Sequence, residues 1–154
     1  MRPPVALGVV VLLGALVSGC ASETEKYCGA LEEQQSRLAE LALGADEPGD
    51  DLLQQTLEIF RELHGEAPGD IADEWSTLTF AYEGMVDAFD GVDTPLAEYD
   101  PAEPPAEISE EEAQRITDAA EELRSPRVTE AADGIQQHAR DVCKADLSLT
   151  GGGG

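Results

Sequence analysis

The chain has 154 residues, enough for one domain, and its 33 acidic side chains against 9 Lys and Arg give a net charge of −24. This charge argues against nucleic acid as a partner and against electrostatic attraction to anionic lipid headgroups, because like charges repel. It is typical of a well-solvated secreted surface, or of a protein that meets cations or basic partners.

The first residues have the pattern of a targeting segment. Arg2 precedes an unbroken apolar run from Val5 to Val17. The run is about 13 residues long and so falls short of the ~20 residues that span a bilayer as a helix. We therefore interpret it as a cleavable signal peptide and not as an element of the fold.

The residues Val17-Ser18-Gly19-Cys20 close this run and resemble the lipobox of bacterial lipoproteins. The resemblance implies cleavage before Cys20, acylation of that cysteine (palmitate included), and a lipid anchor on the extracytoplasmic face of the cell membrane. Stable anchoring needs more than one acyl chain, and the resemblance implies a multiply acylated cysteine. The alternative is ordinary secretion with Cys20 as a plain thiol.

The chain has three cysteines, Cys20, Cys28 and Cys143. An odd number normally leaves one thiol unpaired in a secreted protein. If Cys20 carries lipid, Cys28 and Cys143 are left to pair in an oxidising compartment. The alternative is two free buried thiols.

Helical periodicity follows the lipobox. A first helix is predicted over Glu23–Leu43, with Gly44 as its stop. A second begins near Asp50, a favourable N-cap, and ends at His64 and Gly65.

The third segment has the most regular pattern. Asp70 is its predicted cap and Gly91 its end. Apolar residues recur along one face for five turns: Ile71, Trp75, Leu78, Tyr82, Met85, Val86 and Phe89. We expect this helix to form the centre of the core.

Residues 92–108 hold four prolines and predict an extended connection. A capping box, Ser109 with Glu112, then starts a fourth helix. Ser125-Pro126 starts the last, because proline is favoured at a first helical position. The apolar face of that last helix is predicted to be Val128, Ala131, Ala132, Ile135, Ala139 and Val142.

These segments predict an all-α fold, an antiparallel bundle of four to five helices closed by a Cys28–Cys143 disulfide. Five simple up-and-down helices would place those cysteines at opposite ends. Either the 92–108 connection crosses the bundle lengthwise, or residues 109–143 form one helix kinked at Pro126. The stretched apolar spacing near Pro126 favours the first arrangement.

The domain boundaries follow from these elements. Residues 1–19 are the predicted signal peptide, and 20–25 are the lipid anchor with a short tether. Residues 26–144 form the predicted bundle domain, and 145–154, which end in four glycines, are a predicted disordered tail.

The sequence contains no hydrolase, zinc-protease, P-loop or dinucleotide-binding motif. His64 and His138 are isolated, and neither has the Glu three residues earlier that di-iron bundles use. We predict that His138 lies in or beside the core, and we predict no catalytic residue and no cofactor.

Two acidic groups are candidate sites for a divalent cation. Asp46, Glu47, Asp50 and Asp51 share one predicted loop, and Asp87, Asp90 and Asp93 lie around the end of the third helix. Carboxylate oxygens suit Ca²⁺, although neither group has EF-hand spacing. A second candidate is a cavity between helices lined by Trp75, Tyr82 and Phe89.

The part after the signal resembles small uncharacterised helical lipoproteins of bacterial envelopes. The shared features are Tyr27-Cys28, the Ala67-Pro68…Asp73-Glu74-Trp75 helix start and Asp141-Val142-Cys143. We expect a non-catalytic, membrane-anchored interaction or binding module with a possible envelope protein partner, its contact surface near residues 44–50. The alternative is a surface binder of a small ligand or a divalent cation.

Overall fold

The computed structural model describes residues 22–43, 51–92, 94 and 96–147. Within these ranges the chain forms five α-helices and no strand, so the predicted all-α class is confirmed. The helices are α1 (Glu23–Leu43), α2 (Leu52–Glu66), α3 (Ala72–Phe89), α4 (Glu110–Leu123) and α5 (Pro126–His138). A short 3₁₀ helix covers Leu96–Glu98, and α5 continues into a π-helical turn, Ala139–Cys143.

Serine side chains start three of the helices. Before α1, Ser22 N donates to Glu25 Oε2 at 2.7 Å while Glu25 N donates to Ser22 Oγ at 3.2 Å. Ser109 and Glu112 form the same reciprocal pair before α4, as predicted. Ser125 Oγ accepts from the backbone N of α5, where Pro126 is the first residue. These caps satisfy donors that the first helical turn leaves unpaired.

The predicted cap of α3 is wrong by one residue. Ile71 is the N-cap, and its carbonyl accepts from Trp75 N at 3.1 Å. The carboxylate of Asp70 faces His138 instead, so a tertiary contact has taken the side chain that the local pattern assigned to capping. Asp51 precedes α2 without a side-chain cap, and the predicted cap Asp50 lies outside the described residues.

Helices α1, α2 and α3 run antiparallel in chain order. Gln34 Nε2 donates to Glu62 Oε2 at 2.7 Å between α1 and α2. Arg61 pairs with Glu83 at 2.8 Å between α2 and α3. The starts of α1 and α3 and the end of α2 therefore lie at one end of the bundle.

Helices α4 and α5 follow one another along α3, antiparallel to it, and make few contacts with each other. α4 packs beside Met85 and Phe89 in the second half of α3. α5 passes the first half, where Gly134 lies against Glu74. The predicted break at Ser125-Pro126 is confirmed.

The long connection does not cross the bundle, so that expectation is wrong. Its two ends meet, because residues 91, 92 and 94 line one small cavity with Glu107, Ile108 and Glu112. The chain returns to the starting end through α4 and α5 together, which is the path of the kinked single helix. Because each of these helices covers about half of α3, the pair acts as one rod with a joint.

Two ends of the bundle matter below. The disulfide pole consists of residues 22–32, 64–75 and 138–147. The far pole consists of residues 52–57 and 86–116, and the end of α1 lies there as well. An α1 of 21 residues separates the two by about 30 Å, at roughly 1.5 Å per residue.

The core lies mainly between α1, α2, α3 and α5. Its largest fully buried side chains are Trp75, Tyr27, Phe60, Leu31, Leu57, Ile59, Leu63 and Ile135. Leu147 is 4% exposed and Ala145 packs beside it, so the folded region extends past the predicted boundary at 144. The rest of the predicted tail, residues 148–154, lies outside the described residues.

Val142 is 45% exposed, although its spacing placed it on the apolar face of the last helix. The π-helical turn explains the error, because its wider spiral rotates the residues after His138 away from the 3.6-residue repeat. Lys144 ends this turn in the left-handed region, with φ of 57°.

Candidate functional site

The predicted disulfide between Cys28 and Cys143 is confirmed. The two sulfur atoms are 2.01 Å apart and the Cα atoms 5.1 Å apart. The bond joins the second turn of α1 to the end of the π-helical turn, so the first and last helical segments meet at the disulfide pole.

A buried polar cluster lies beneath the disulfide pole. Trp75 Nε1 donates to the Tyr27 hydroxyl at 3.0 Å, and both side chains are fully buried. The ring of His138 packs edge-on against Tyr27, with centroids 5.6 Å apart. These contacts tie the starts of α1 and α3 to the end of α5.

His138 lies in the core, as the sequence predicted. Its side chain is 8% exposed, and its Nε2 is 3.5 Å from Asp70 Oδ2, which belongs to an exposed side chain. Its Nδ1 is buried and has no hydrogen-bond partner in the described part of the chain. The cluster thus holds one polar atom that folding leaves unsatisfied.

The chemistry of this cluster favours a structural role. Burial raises the pKa of Tyr27 to about 12; the hydrogen bond from Trp75 opposes this shift and the charge of Asp70 adds to it. The hydroxyl therefore stays protonated near neutral pH, whereas a nucleophile or base needs its pKa lowered or an adjacent base.

A wide, open cavity of about 570 Å³ lies over the disulfide. Most of its side chains are polar, among them Glu25, Glu32, Gln35 and Lys144. Gln35 Nε2 donates to the carbonyl of Asp146 at 2.6 Å, which holds the end of the described chain against α1. The openness and polarity of this surface indicate contact with water or headgroups more than enclosure of a ligand.

A second cavity, of about 270 Å³, opens at the far pole between α3, α4 and residues 96–101. We call it the far-pole cavity. Its lining is mostly apolar and includes Met85, Phe89, Leu96, Tyr99, Ile116 and Ala120. Of the three aromatics predicted to line a cavity, Phe89 does so, whereas Trp75 is in the core and Tyr82 packs on Phe60 with centroids 4.7 Å apart.

The cation candidates do not assemble in the described part of the chain. Asp46, Glu47, Asp50 and Asp93 lie outside it, while Asp51, Asp87 and Asp90 are exposed. Among the described residues no group of three His, Cys, Asp or Glu side chains is placed to hold a metal ion. The proposed lipidation site, Cys20, also lies outside.

Sequence reasoning missed the residues that define the far-pole cavity. Tyr99 and Arg124 both line it, yet neither belongs to an apolar stripe. The available signal was an aromatic residue inside a proline-rich, helix-poor connection, where it has no helical face to fill.

No helix among the described residues is long and apolar enough to cross a membrane. Compared with known proteins, the chain matches no family model, no curated protein sequence and no solved structure. Any function must therefore be argued from the residues themselves.

Proposed function

We propose that the protein is a lipid-anchored lipoprotein of the cell envelope that acts as a non-catalytic interaction module. In this proposal Cys20 carries the lipid, the disulfide pole lies against the extracytoplasmic face of the membrane, and the far pole meets a protein partner. The lipobox-like Val17-Ser18-Gly19-Cys20 supports the anchor.

The observation that carries the orientation is the start of α1. Ser22 caps this helix, so Ala21 alone separates the proposed lipidated cysteine from the folded domain. From Cys20 to Glu23 the backbone spans at most about 11 Å, at roughly 3.6 Å per extended residue. A tether this short holds the disulfide pole at the headgroups.

The charge distribution agrees with this orientation. Both lysines of the chain, Lys26 and Lys144, lie at the disulfide pole, although the net charge is −24. Lysine stems cover apolar surface while their ammonium groups reach water or phosphate, which suits a position beside headgroups. The exposed Val142 adds an apolar side chain there.

The anchor is tested by replacing Cys20 with Ser. We expect the wild-type protein to incorporate a labelled fatty acid and partition into detergent, and Cys20→Ser to do neither. The matched control is the double variant Cys28→Ser, Cys143→Ser, which loses two thiols and keeps the anchor. Lipid labelling that persists in Cys20→Ser would refute the anchor.

The orientation and the partner are tested together by photo-cross-linking in intact cells. A photoreactive residue at Glu98, exposed at the far pole, is expected to capture one recurrent envelope protein. The same residue at Glu23, exposed at the start of α1, is expected to capture lipid. If Glu98 captures lipid, the orientation is wrong, and if it captures only abundant neighbours, the interaction role is wrong.

A further inference from the structure

The far-pole cavity has a lining that the fold itself does not use fully. Leu96 is 36% exposed, and Tyr99 is half-buried with its ring packed edge-on against Phe89, with centroids 5.6 Å apart. Met85, which is 6% exposed, and Ile116, which is 3% exposed, form the inner wall. The cavity therefore offers aromatic and aliphatic surface to a molecule that enters it.

The hydroxyl of Tyr99 is the second observation. It is shielded from water and has no hydrogen-bond partner among the described residues. Native proteins rarely leave a buried hydroxyl unpaired, because the group loses its bonds to water and gains none in return. A hydrogen-bond acceptor brought into the cavity would complete it.

The charges at the rim decide which kind of molecule fits. Glu121 and Arg124 both line the cavity and are exposed, and they carry opposite charges. The described structure contains no ion pair for either side chain. The lining thus has no net charge, while the field of a −24 chain repels anions at longer range.

We propose that the far-pole cavity binds a small uncharged molecule that has an apolar body and one hydrogen-bond acceptor. The body fills the space between Met85, Phe89 and Ile116, and the acceptor takes the hydrogen bond of the Tyr99 hydroxyl. At about 270 Å³ the cavity lies just below the roughly 300–1,000 Å³ of drug-sized sites, so the ligand is a small one. This inference goes beyond the proposed anchoring and interaction role and does not depend on it.

The chain provides a direct reporter for the test. It has two methionines, Met1 and Met85, so protein expressed from Lys26 to Leu147 with ¹³C-methyl methionine carries the cavity signal plus that of the start codon. To keep the chain as it exists, the same labelling is applied to the full protein in detergent, where Met85 is assigned by Met85→Leu.

Three uncharged or charged probes of equal size separate the classes: acetophenone, benzoate and cumene. We expect acetophenone to shift the Met85 methyl signal in a saturable way and to bind more tightly than cumene, which lacks an acceptor, and than benzoate, which is anionic. Tyr99→Phe should weaken acetophenone binding about two- to tenfold, the value of one neutral hydrogen bond. The same variant should leave cumene binding unchanged.

A blocking variant keeps the test decisive if Tyr99→Phe has other effects. Ala120→Leu fills the cavity from α4 and should abolish binding of all three probes, while Ala106→Leu, the same change at an exposed position outside the cavity, should not. Tightest binding of benzoate would overturn the uncharged class. Absence of a saturable Met85 shift with every probe would overturn the site itself.

Discussion

The indole Nε1 of Trp75 donates a 3.0 Å hydrogen bond to the hydroxyl of Tyr27, and the two residues are 48 positions apart in the chain. Both side chains are fully buried, so this bond pairs two polar groups that water does not reach. It fixes the start of α3 against the start of α1 at the pole that the disulfide closes. Its removal on one side alone leaves the other group unsatisfied.

We therefore expect Tyr27→Phe to lower the free energy of unfolding by about 1–3 kcal/mol, because the Trp75 N–H is left buried without an acceptor. Urea unfolding followed by the fluorescence of the single Trp measures this. The control is Tyr82→Phe, the same change on a ring that also packs on Phe60 but makes no hydrogen bond to a described residue. Its cost should stay below about 0.5 kcal/mol, and equal losses in both variants would contradict the assignment.

Stability should depend on alkaline pH through the same tyrosine. Burial raises the pKa of Tyr27 from 10.0 to about 12. Between those values the unfolded chain releases this proton while the folded protein keeps it, so the folded state binds more protons and stability falls as pH rises. Below pH 10 the contribution is complete.

The pH effect is measured as the difference between wild type and Tyr27→Phe. The difference in unfolding free energy should be constant below pH 10 and shrink as pH approaches 12. Absorbance titration of tyrosinate should show one fewer late-titrating group in the variant. A difference that is flat through this range would mean that Tyr27 titrates normally.

The disulfide should contribute strongly, because it closes a loop of 115 residues. In the chain-entropy model a loop of this size stabilises by about 4–5 kcal/mol, and losses of about 2–5 kcal/mol are usual for native bonds. Reductant should lower the urea midpoint of the wild type by a corresponding amount. The double variant Cys28→Ser, Cys143→Ser should start at that lower midpoint and no longer respond to reductant.

Two glycines near the end of α3 should respond in opposite directions to alanine. Gly84 is exposed within α3, and an added Cβ would meet nothing within 4 Å, so Gly84→Ala should stabilise by about 0.5–1 kcal/mol. Gly91 has φ of +79°, where a side chain is strained, so Gly91→Ala should destabilise by about 1–2 kcal/mol. Thermal unfolding by circular dichroism compares them, and a loss in both would indicate a contact at Gly84 with residues outside the described ranges.

Much of the fold was predictable because its signals are local. The bounds of α1 match the periodic segment, and Ser109 and Ser125-Pro126 start their helices as expected, since a cap depends on residues three or four positions away. The disulfide was predictable from cysteine parity. Each of these inferences uses information that lies within a few residues or in a simple count.

The remainder depends on contacts that no local pattern reveals. Asp70 does not cap α3 because its carboxylate meets His138, which lies 68 positions later in the chain. Gln34 occupies a core position of α1, at 3% exposure, because Glu62 of α2 accepts its hydrogen bond. The far-pole cavity was missed for the same reason, since Tyr99 gains its place only when the connection folds back on Phe89.

The joint between α4 and α5 divides the bundle into parts of unequal cohesion. α5 belongs to the main core with Trp75, whereas Met85, Ala88 and Ile116 are buried outside that cluster. Because Ser125 and Pro126 interrupt the helical ladder, α4 is able to detach without breaking hydrogen bonds of α5, so its amide protons should exchange through local opening and those of α5 only through global unfolding. The end of the molecule farthest from the disulfide is thus the part that adapts, while the other end stays rigid.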